Sequence, residues 1–519
     1  MPDPSITPAK RQKAYAKRSK SGCRTCRYRR VKCDESPGAC KRCTSTGRQC
    51  DGYDLPPVSH KPFFATRTSI PQLTAPGILT ALTSEERRGF SFFQHCTVPT
   101  LAGFYDSALW EILSLQIGHA DPAVCHASIA LSAVHSGVQA RRRESLIHQA
   151  KTESRRWQHF AFEQMGRAFQ QLWRRHASQD PQYTVTVLLC CLIFVAAEFT
   201  LGHYDNAFRH LRSGLRILRD QQIRVASGME TPLEPSLTQT FAHLDNQAGC
   251  FGPEGPILVI DDNAALYSDL HSCSNVGNGR WTVSEVRQIM EPLAGAVVRF
   301  CRRQARTGYH EYESAVSEQA CIIHRLSLFL LFTTNLNKQP GRVLTAKEKR
   351  GLKLLQLEAH ALKNALLSLP VTTRQPQFHE FTDDFEIMLA LATEIQQSER
   401  DYQDLPQISL DIGAVPPLYA IAKRTVDPEQ WWRAVRLLQS YPHQEGPWSA
   451  SLLSRALIKS MPAKIVIRCQ ERTGRDGNSG RRGRTRLMQK RACFEGVLTI
   501  APVRSCVRIP FHIQGLQKK

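Results

Sequence analysis

The stretch Cys23-Arg24-Thr25-Cys26-Arg27-Tyr28-Arg29-Arg30-Val31-Lys32-Cys33 recurs in outline as Cys40-Lys41-Arg42-Cys43-Thr44-Ser45-Thr46-Gly47-Arg48-Gln49-Cys50, each with the spacing Cys-x2-Cys-x6-Cys. Six sulfur ligands are too few for two separate tetrahedral zinc sites, but they suffice if two sulfurs each bridge both ions. The two half-repeats imply such sharing. A segment this short and polar buries almost no hydrophobic core, so metal binding and folding must go together.

Two other uses of close cysteines compete with zinc. A disulfide framework belongs to small secreted modules, and MPDPSITPAKRQKAYAKRSK at the N-terminus has no apolar run after its basic residues, so it does not read as a signal peptide. In a reducing compartment the thiols would persist and be available to metal. An iron–sulfur site is the second rival, but the spacing does not follow the tight Cys-x2-Cys-x2-Cys run of ferredoxins.

Basic residues interleave with the cysteines. Arg24, Arg27, Arg29, Arg30 and Lys32 crowd the first half, and Lys41, Arg42 and Arg48 sit in the second. The run Arg27–Lys32 can form a short helix between ligands, pinned by metal at both ends, and such a helix can enter the major groove with arginines or lysines reaching guanine acceptors. Arg24, Arg42 and Arg48 suit phosphates, which give affinity and register rather than sequence choice. Arg27, Lys32 and Lys41 would support them. The plain alternative is a solvated basic surface.

At this point the sequence resembles the fungal Zn2Cys6 binuclear-cluster transcription factors, through Ser21–Glu35 and again through Cys40–Tyr53. The resemblance implies two Zn2+ ions per chain held by Cys23, Cys26, Cys33, Cys40, Cys43 and Cys50, with the first and fourth cysteines, Cys23 and Cys40, as bridges. It also implies that Arg29 and Arg30, the basic residues before the third cysteine, read CGG-type triplets in double-stranded DNA. One departure is in the loop: the family's proline usually lies two residues before the fourth cysteine, whereas Pro37 lies three before Cys40 and is followed by Gly38. The cluster should survive that shift.

The net charge of +22 is unevenly spread. Residues 1–60 carry 14 Lys/Arg against 5 Asp/Glu, residues 455–519 carry 16 against 3, and residues 61–454 hold 38 of each sign. Two Zn2+ and six thiolates lower the N-terminal excess from +9 to about +7. Polyanion binding therefore belongs to the ends. The segments Lys10-Arg11-Gln12-Lys13 and Lys17-Arg18-Ser19-Lys20 read as a nuclear-import signal or a phosphate-contacting arm. Residues 1–17 form a basic arm, 18–54 the cluster module and 55–83 a linker. Pro56, Pro57, Pro62, Pro71 and Pro76 interrupt regular structure in that linker. No heptad repeat follows the cluster, so a linker coiled coil is not the expected route to dimers.

Residues 84–454 show apolar residues mainly at helical intervals. Tyr204, Ala207, Phe208, Leu211, Leu215 and Leu218 mark one buried face, with Arg209, Arg212 and Arg216 elsewhere. Residues 104–117 read as another helix, burying Tyr105, Ala108, Leu109, Ile112 and Leu113 opposite Ser107, Glu111 and Ser114. Helical patterns also fit 126–143, 151–176, 346–367 and 428–439. The apolar run 185–197, with Cys190 and Cys191, is too short for a membrane span and reads as a buried core helix, with both cysteines as core fillers. The run 326–332 has the same buried reading.

The predicted fold is a small zinc-stabilised binuclear-cluster module joined by a proline-rich linker to a large all-α domain. The segments Glu86–Phe93, Gly103–Ser107, His126–His135, Gly202–Ala207, Ala414–Tyr419 and Arg433–Leu438 look like the helical regulatory domain attached to one branch of the same family.

No compact nucleophile–base–acid pattern, metal-ligand helix or phosphate loop surrounds His119, His126, His135 or His210, so no catalytic residue is expected. His126 and His135 read as packing residues. The basic, glycine-rich tail, 455–519, carries Arg481-Arg482-Gly483-Arg484 and the dispersed Cys469, Cys493 and Cys506, which do not read as a second finger. The function expected is sequence-specific regulation of RNA polymerase II transcription in a nucleus. Its partners would be DNA, transcriptional co-regulators and the import machinery, with no membrane. A chromatin-associated scaffold is the alternative, and an enzyme with an accessory zinc cluster a remote one.

Overall fold

The computed structural model describes residues 23–34, 36, 39–50, 81–143, 149–176, 180, 182–251, 256–258, 281–307, 312–337, 343–369, 381–400, 408–441 and 443–461. The basic arm and import segment, Pro37 and Gly38, linker residues 55–80 and the tail beyond 461 lie outside the described residues. The chain divides into two units, Met1–Gln72 and Leu73–Lys519.

In the first unit each half-repeat starts a helix on a cysteine: α1 is Arg24–Tyr28 and α2 is Lys41–Thr44. The sulfurs of Cys23 and Cys40 accept from the amides of Cys26 and Cys43 at 3.4 and 3.3 Å. The helix expected over 27–32 is therefore displaced: it lies at 24–28, and Arg29 and Arg30 form the turn after it. The sulfurs dictate this, because the third cysteine of each half must return to the first. The sulfurs of Cys33 and Cys50 accept from the amides of Cys23 and Cys40, both at 3.4 Å.

A left-handed residue makes each reversal: Arg30 at φ 57° and Gly47 at φ 63°, each seven residues after the cysteine that starts its half. The amide after it closes back on the helix, Val31 to the Cys26 carbonyl at 3.1 Å and Arg48 to the Cys43 carbonyl at 3.0 Å. This is the hydrogen bond that ends a helix in a Schellman motif.

The second unit is helical, as expected. Its first part comprises α3 (Ser84–Phe92), α4 (Val98–Leu101), α5 (Ser114–Ala120), α6 (Pro122–Arg143), α7 (Gln149–Arg175), α8 (Tyr183–Leu201), α9 (Tyr204–Ala226) and α10 (Pro235–Gly249). Then follow α11 (Val283–Thr307), α12 (Tyr312–Asn337), α13 (Ala346–Leu367), α14 (Thr382–Arg400), α15 (Val415–Arg424), α16 (Pro428–Ser440) and α17 (Ala450–Lys459). Thr83 with Glu86 and Thr345 with Glu348 form capping boxes that fix the starts of α3 and α13. By length and composition alone α8 could cross a membrane, since it outruns its apolar stretch at both ends. It is the core helix of its half, packed against α6 and α9, which explains its apolarity on every side.

Two local readings are corrected. Residues 104–107 precede regular structure, Ala108 begins it, and 109–113 form a π turn before α5. The extra residue in that turn rotates the buried face: Ala108 and Ile112 are exposed, while Trp110 and Ser114 are buried, the Ser114 hydroxyl donating to the Trp110 carbonyl at 2.7 Å. Within 326–332, Leu326, Phe329 and Phe332 are buried but Leu331 is exposed, so α12 is two-faced there. Cys190 is a fully buried filler and Cys191 a half-buried one.

Two apolar clusters form the interior. One gathers Phe90, Phe93, Ile129, Phe194, Leu215 and Phe241 from α3–α10; the other gathers Leu293, Phe300, Phe329, Leu357, Phe385 and Trp431 from α11–α17. Their seam is polar. His243 of α10 pairs with Glu291 of α11 at 2.7 Å, and Arg287 of α11 pairs with Asp411 at 2.5 Å while lying over the Tyr105 ring. A small sheet completes the seam. Its first strand, β1 (Ile408–Ser409), runs parallel to β2 (Gln444–Glu445), which pairs antiparallel with β3 (Trp448–Ser449). The Glu445 carboxylate accepts from the amides of Gly413 and Val415 at 2.9 and 3.0 Å, satisfying donors at the start of α15.

Candidate metal centre and nucleic-acid interface

The folded half-repeats bring the sulfurs together. Cys23 and Cys26 each lie 3.6 Å from the sulfur of Cys40 and 3.8 Å from that of Cys43. A zinc–sulfur bond of about 2.3 Å sets tetrahedral sulfur–sulfur edges of about 3.8 Å, so the separations fit zinc. Cys33 and Asp34 also offer ligand atoms that group with Cys40. Cys23 interacts with Cys40 and Cys26 and reaches Cys50, while Cys40 reaches across to Cys23 and Cys26. The disulfide reading fails on geometry, since the described cysteines are all free thiols.

Burial pushes the Cys23 thiol up to about 12 and raises Cys26 and Cys40 as well. These are values of the metal-free thiols. They hold their protons until a cation displaces them, which couples zinc uptake to proton release. The donated amides are ready to stabilise the thiolates that result.

Asp34 is the functional residue that sequence reasoning left without a role. Its carboxylate accepts from the amides of Lys41 and Arg42, both at 3.0 Å, and from the Ser36 hydroxyl. The Ser36 and Arg42 hydrogen bonds hold it well below the usual carboxylate range. It ties the end of the first half to the start of α2, and a short acceptor just after the third cysteine was the available signal. Thr25 makes a second tie, donating to the Gln49 carbonyl at 3.4 Å.

The basic residues separate by exposure. Arg24, Arg30, Lys32, Lys41, Arg42 and Arg48 are exposed, whereas Arg29 is half-buried with Nη1 buried and without a hydrogen-bond partner. The Arg27 side chain lies outside the described residues. Tyr28, not singled out by sequence, stands fully outward beside them. Among the described residues, only the cysteine cluster groups three or more metal-ligating side chains.

In the helical unit the histidines are engaged in packing. His135 is buried and bonds Thr97 at 3.1 Å, His126 meets Gln164 at 2.7 Å, and His119 meets Gln94 at 2.7 Å with Phe90 edge-on.

Residues 21–58 match the fungal Zn(2)-Cys(6) binuclear cluster domain, which binds two zinc ions, and residues 88–276 match the fungal specific transcription factor domain. The chain is 31% identical over 317 residues to the aspercryptin biosynthesis cluster-specific transcription regulator atnN of Emericella nidulans, covering 56% of this chain and 48% of that protein. It is 27% identical over 206 residues to transcription regulator lscL of Purpureocillium lilacinum, covering 38% of this chain and 48% of that protein. Over 53 residues, 10% of each chain, it is 47% identical to transcriptional regulatory protein moc3 of Schizosaccharomyces pombe. The chain thus spans about half the length of the first two relatives. No solved structure matches. The chain thus carries matches to a zinc-cluster DNA-binding domain and to a fungal specific transcription factor domain, and the curated proteins it resembles are fungal transcription regulators.

Proposed function

We propose that this chain regulates RNA polymerase II transcription in the nucleus by reading CGG-type triplets in the major groove, without catalysing a reaction. The observation that carries the reading is Arg30. At the matching position of the second half the chain uses glycine, the residue that a left-handed backbone favours. In the first half it keeps an arginine there, exposed, immediately past a helix pinned by sulfur. Backbone strain held at one residue points to what that side chain does.

In this reading Cys23, Cys26, Cys33, Cys40, Cys43 and Cys50 ligate two zinc ions, with Cys23 and Cys40 as bridges. Arg30 and Arg29 address guanine O6 and N7, and Arg24, Arg27, Lys32, Lys41, Arg42 and Arg48 address phosphates. Residues 84–454 act as the regulatory domain. The basic segments between Lys10 and Lys20 serve nuclear import, and transcriptional co-regulators are the protein partners.

Competition binding at fixed salt tests the assignment. Replacing Arg29 or Arg30 by Ala should cost about 1–3 kcal/mol more on a CGG-containing duplex than on random duplex. Arg48→Ala should weaken both evenly. Equal losses on both duplexes for the Arg29 and Arg30 variants would refute base reading.

A further inference from the structure

The helical domain carries an aromatic ladder whose rings stay exposed although they stack on neighbouring side chains. On α7, Phe162 and Phe169 are 47% and 45% exposed and Trp173 is 73% exposed, all on one face. Gly166 lies between them with open space where a side chain would stand. The neighbouring rungs are His203, the residue just before α9, which stacks on Phe162, and His210 of α9, which stacks on Phe169. The rungs on either side are seven residues apart, and Phe194 of α8 makes the floor, stacked on Phe169 at 4.7 Å. The result is a shallow furrow with an aromatic wall, a notch and helical periodicity, about 16 Å from Phe162 to Trp173.

Charge identifies what fits it. Arg155 lies on the furrow face of α7, and Arg209 and Arg216 share the α9 rim outside His210; all three are exposed. The carboxylates nearest the rungs are already engaged: Glu163 by Arg167 at 2.6 Å and Glu198 by His203 at 2.7 Å. Asp220 stands one turn beyond Arg216. A second copy of this face would oppose arginine to arginine, which disfavours self-pairing. The furrow calls for apolar side chains at heptad spacing flanked by carboxylates.

We propose that the α7/α9 furrow docks an acidic amphipathic helix, about three turns long, of a partner protein, with apolar side chains seated on Phe162, Phe169 and Trp173 and one entering the notch at Gly166. This is the helix-in-groove mode of recognition. It goes beyond DNA reading and involves no residue of the zinc cluster, so either can fail without the other.

The test uses the full chain and a fluorescein-labelled 18-residue peptide with Leu and Phe at heptad positions and Asp or Glu elsewhere. A matched peptide with Lys replacing the acids serves as comparison. The acidic peptide should bind and weaken with added salt, and Trp173→Ala and Gly166→Glu should each cost tenfold or more. Gly166→Gln should cost less than Gly166→Glu, because it fills the notch without adding charge. Circular dichroism melts should show both Gly166 variants at least as stable as the parent, since glycine inside a helix is unfavourable and nothing contacts this site. No binding, equal binding of the basic peptide, or binding insensitive to these variants overturns the proposal. It is equally overturned if the same variants instead abolish binding to phosphatidylserine vesicles or random duplex DNA, or dissociate a dimer in sedimentation.

Discussion

Arg30→Gly should make the zinc cluster easier to assemble and at the same time spoil its DNA selectivity. Arg30 sits at φ 57° where the matching residue is Gly47 at φ 63°. Holding a non-glycine residue in the left-handed region costs about 1–2 kcal/mol, while glycine loses about 0.5–1 kcal/mol more conformational entropy on folding. The net gain for the variant is about 0.5–1 kcal/mol. Because the six-cysteine segment folds as it binds metal, that gain appears as zinc affinity, about two- to fivefold in a chelator competition on the full chain. On a CGG-containing duplex the lost guanine contact should cost about 1–3 kcal/mol relative to random duplex. Arg30→Ala separates the two effects, since it loses the DNA contact but keeps the Cβ and gains no zinc affinity. Gly47→Ala should move zinc affinity the other way. If Arg30→Gly and Arg30→Ala hold zinc equally well, the strain argument is wrong. If both discriminate CGG from random DNA as the parent does, Arg30 is not a reader.

Cys40→Ser should empty both metal positions, giving a zinc content well below one per chain, whereas Cys50→Ser should leave at least one ion; equal losses would count against Cys40 as a bridge. Gly214→Ala should lower the melting temperature of the helical domain, because the added carbon would stand 2.3 Å from the Phe241 ring, and overpacking costs about 1–3 kcal/mol. Burial raises Glu358 to about 7 from an ordinary 4.5, so below the lower value the residue is neutral in both states, and stability falls as pH rises between the two, by roughly 3 kcal/mol at most. Glu358→Gln should flatten melting temperature against pH across that interval, leaving the loss from His243, whose pKa is also raised, at higher pH; an unchanged profile refutes the assignment.

What was legible in the sequence is what neighbours along the chain decide. Ligand identity and spacing named the cluster, because thiolates three and seven residues apart have few other uses. Long periodic segments gave the helices: α13 matches its expected span, 346–367, and the buried stripe of α9 was read as it lies. The misreadings arise where a constraint outside the local pattern intervenes. Propensity allows a helix over 27–32, but the return of Cys33 to Cys23 ends it at Tyr28 and puts the arginines on a turn. Near residue 109 a single π turn, which has no compositional mark, rotates the stripe and exposes Ile112.

The polar seam was the least visible, since His243, Glu291, Glu358 and Asp411 are scattered over 168 positions and each looks like an ordinary surface residue alone. Only the fold assembles them, and then electrostatics decides their states. Three acids, Glu291, Glu358 and Asp411, face two bases, Arg287 and His243. Glu291 and Asp411 hold the direct pairs, so Glu358 is the carboxyl left to keep its proton. Where the two apolar clusters meet, the domain thus carries a proton-dependent contact, and its stability should respond to pH there before its helices do.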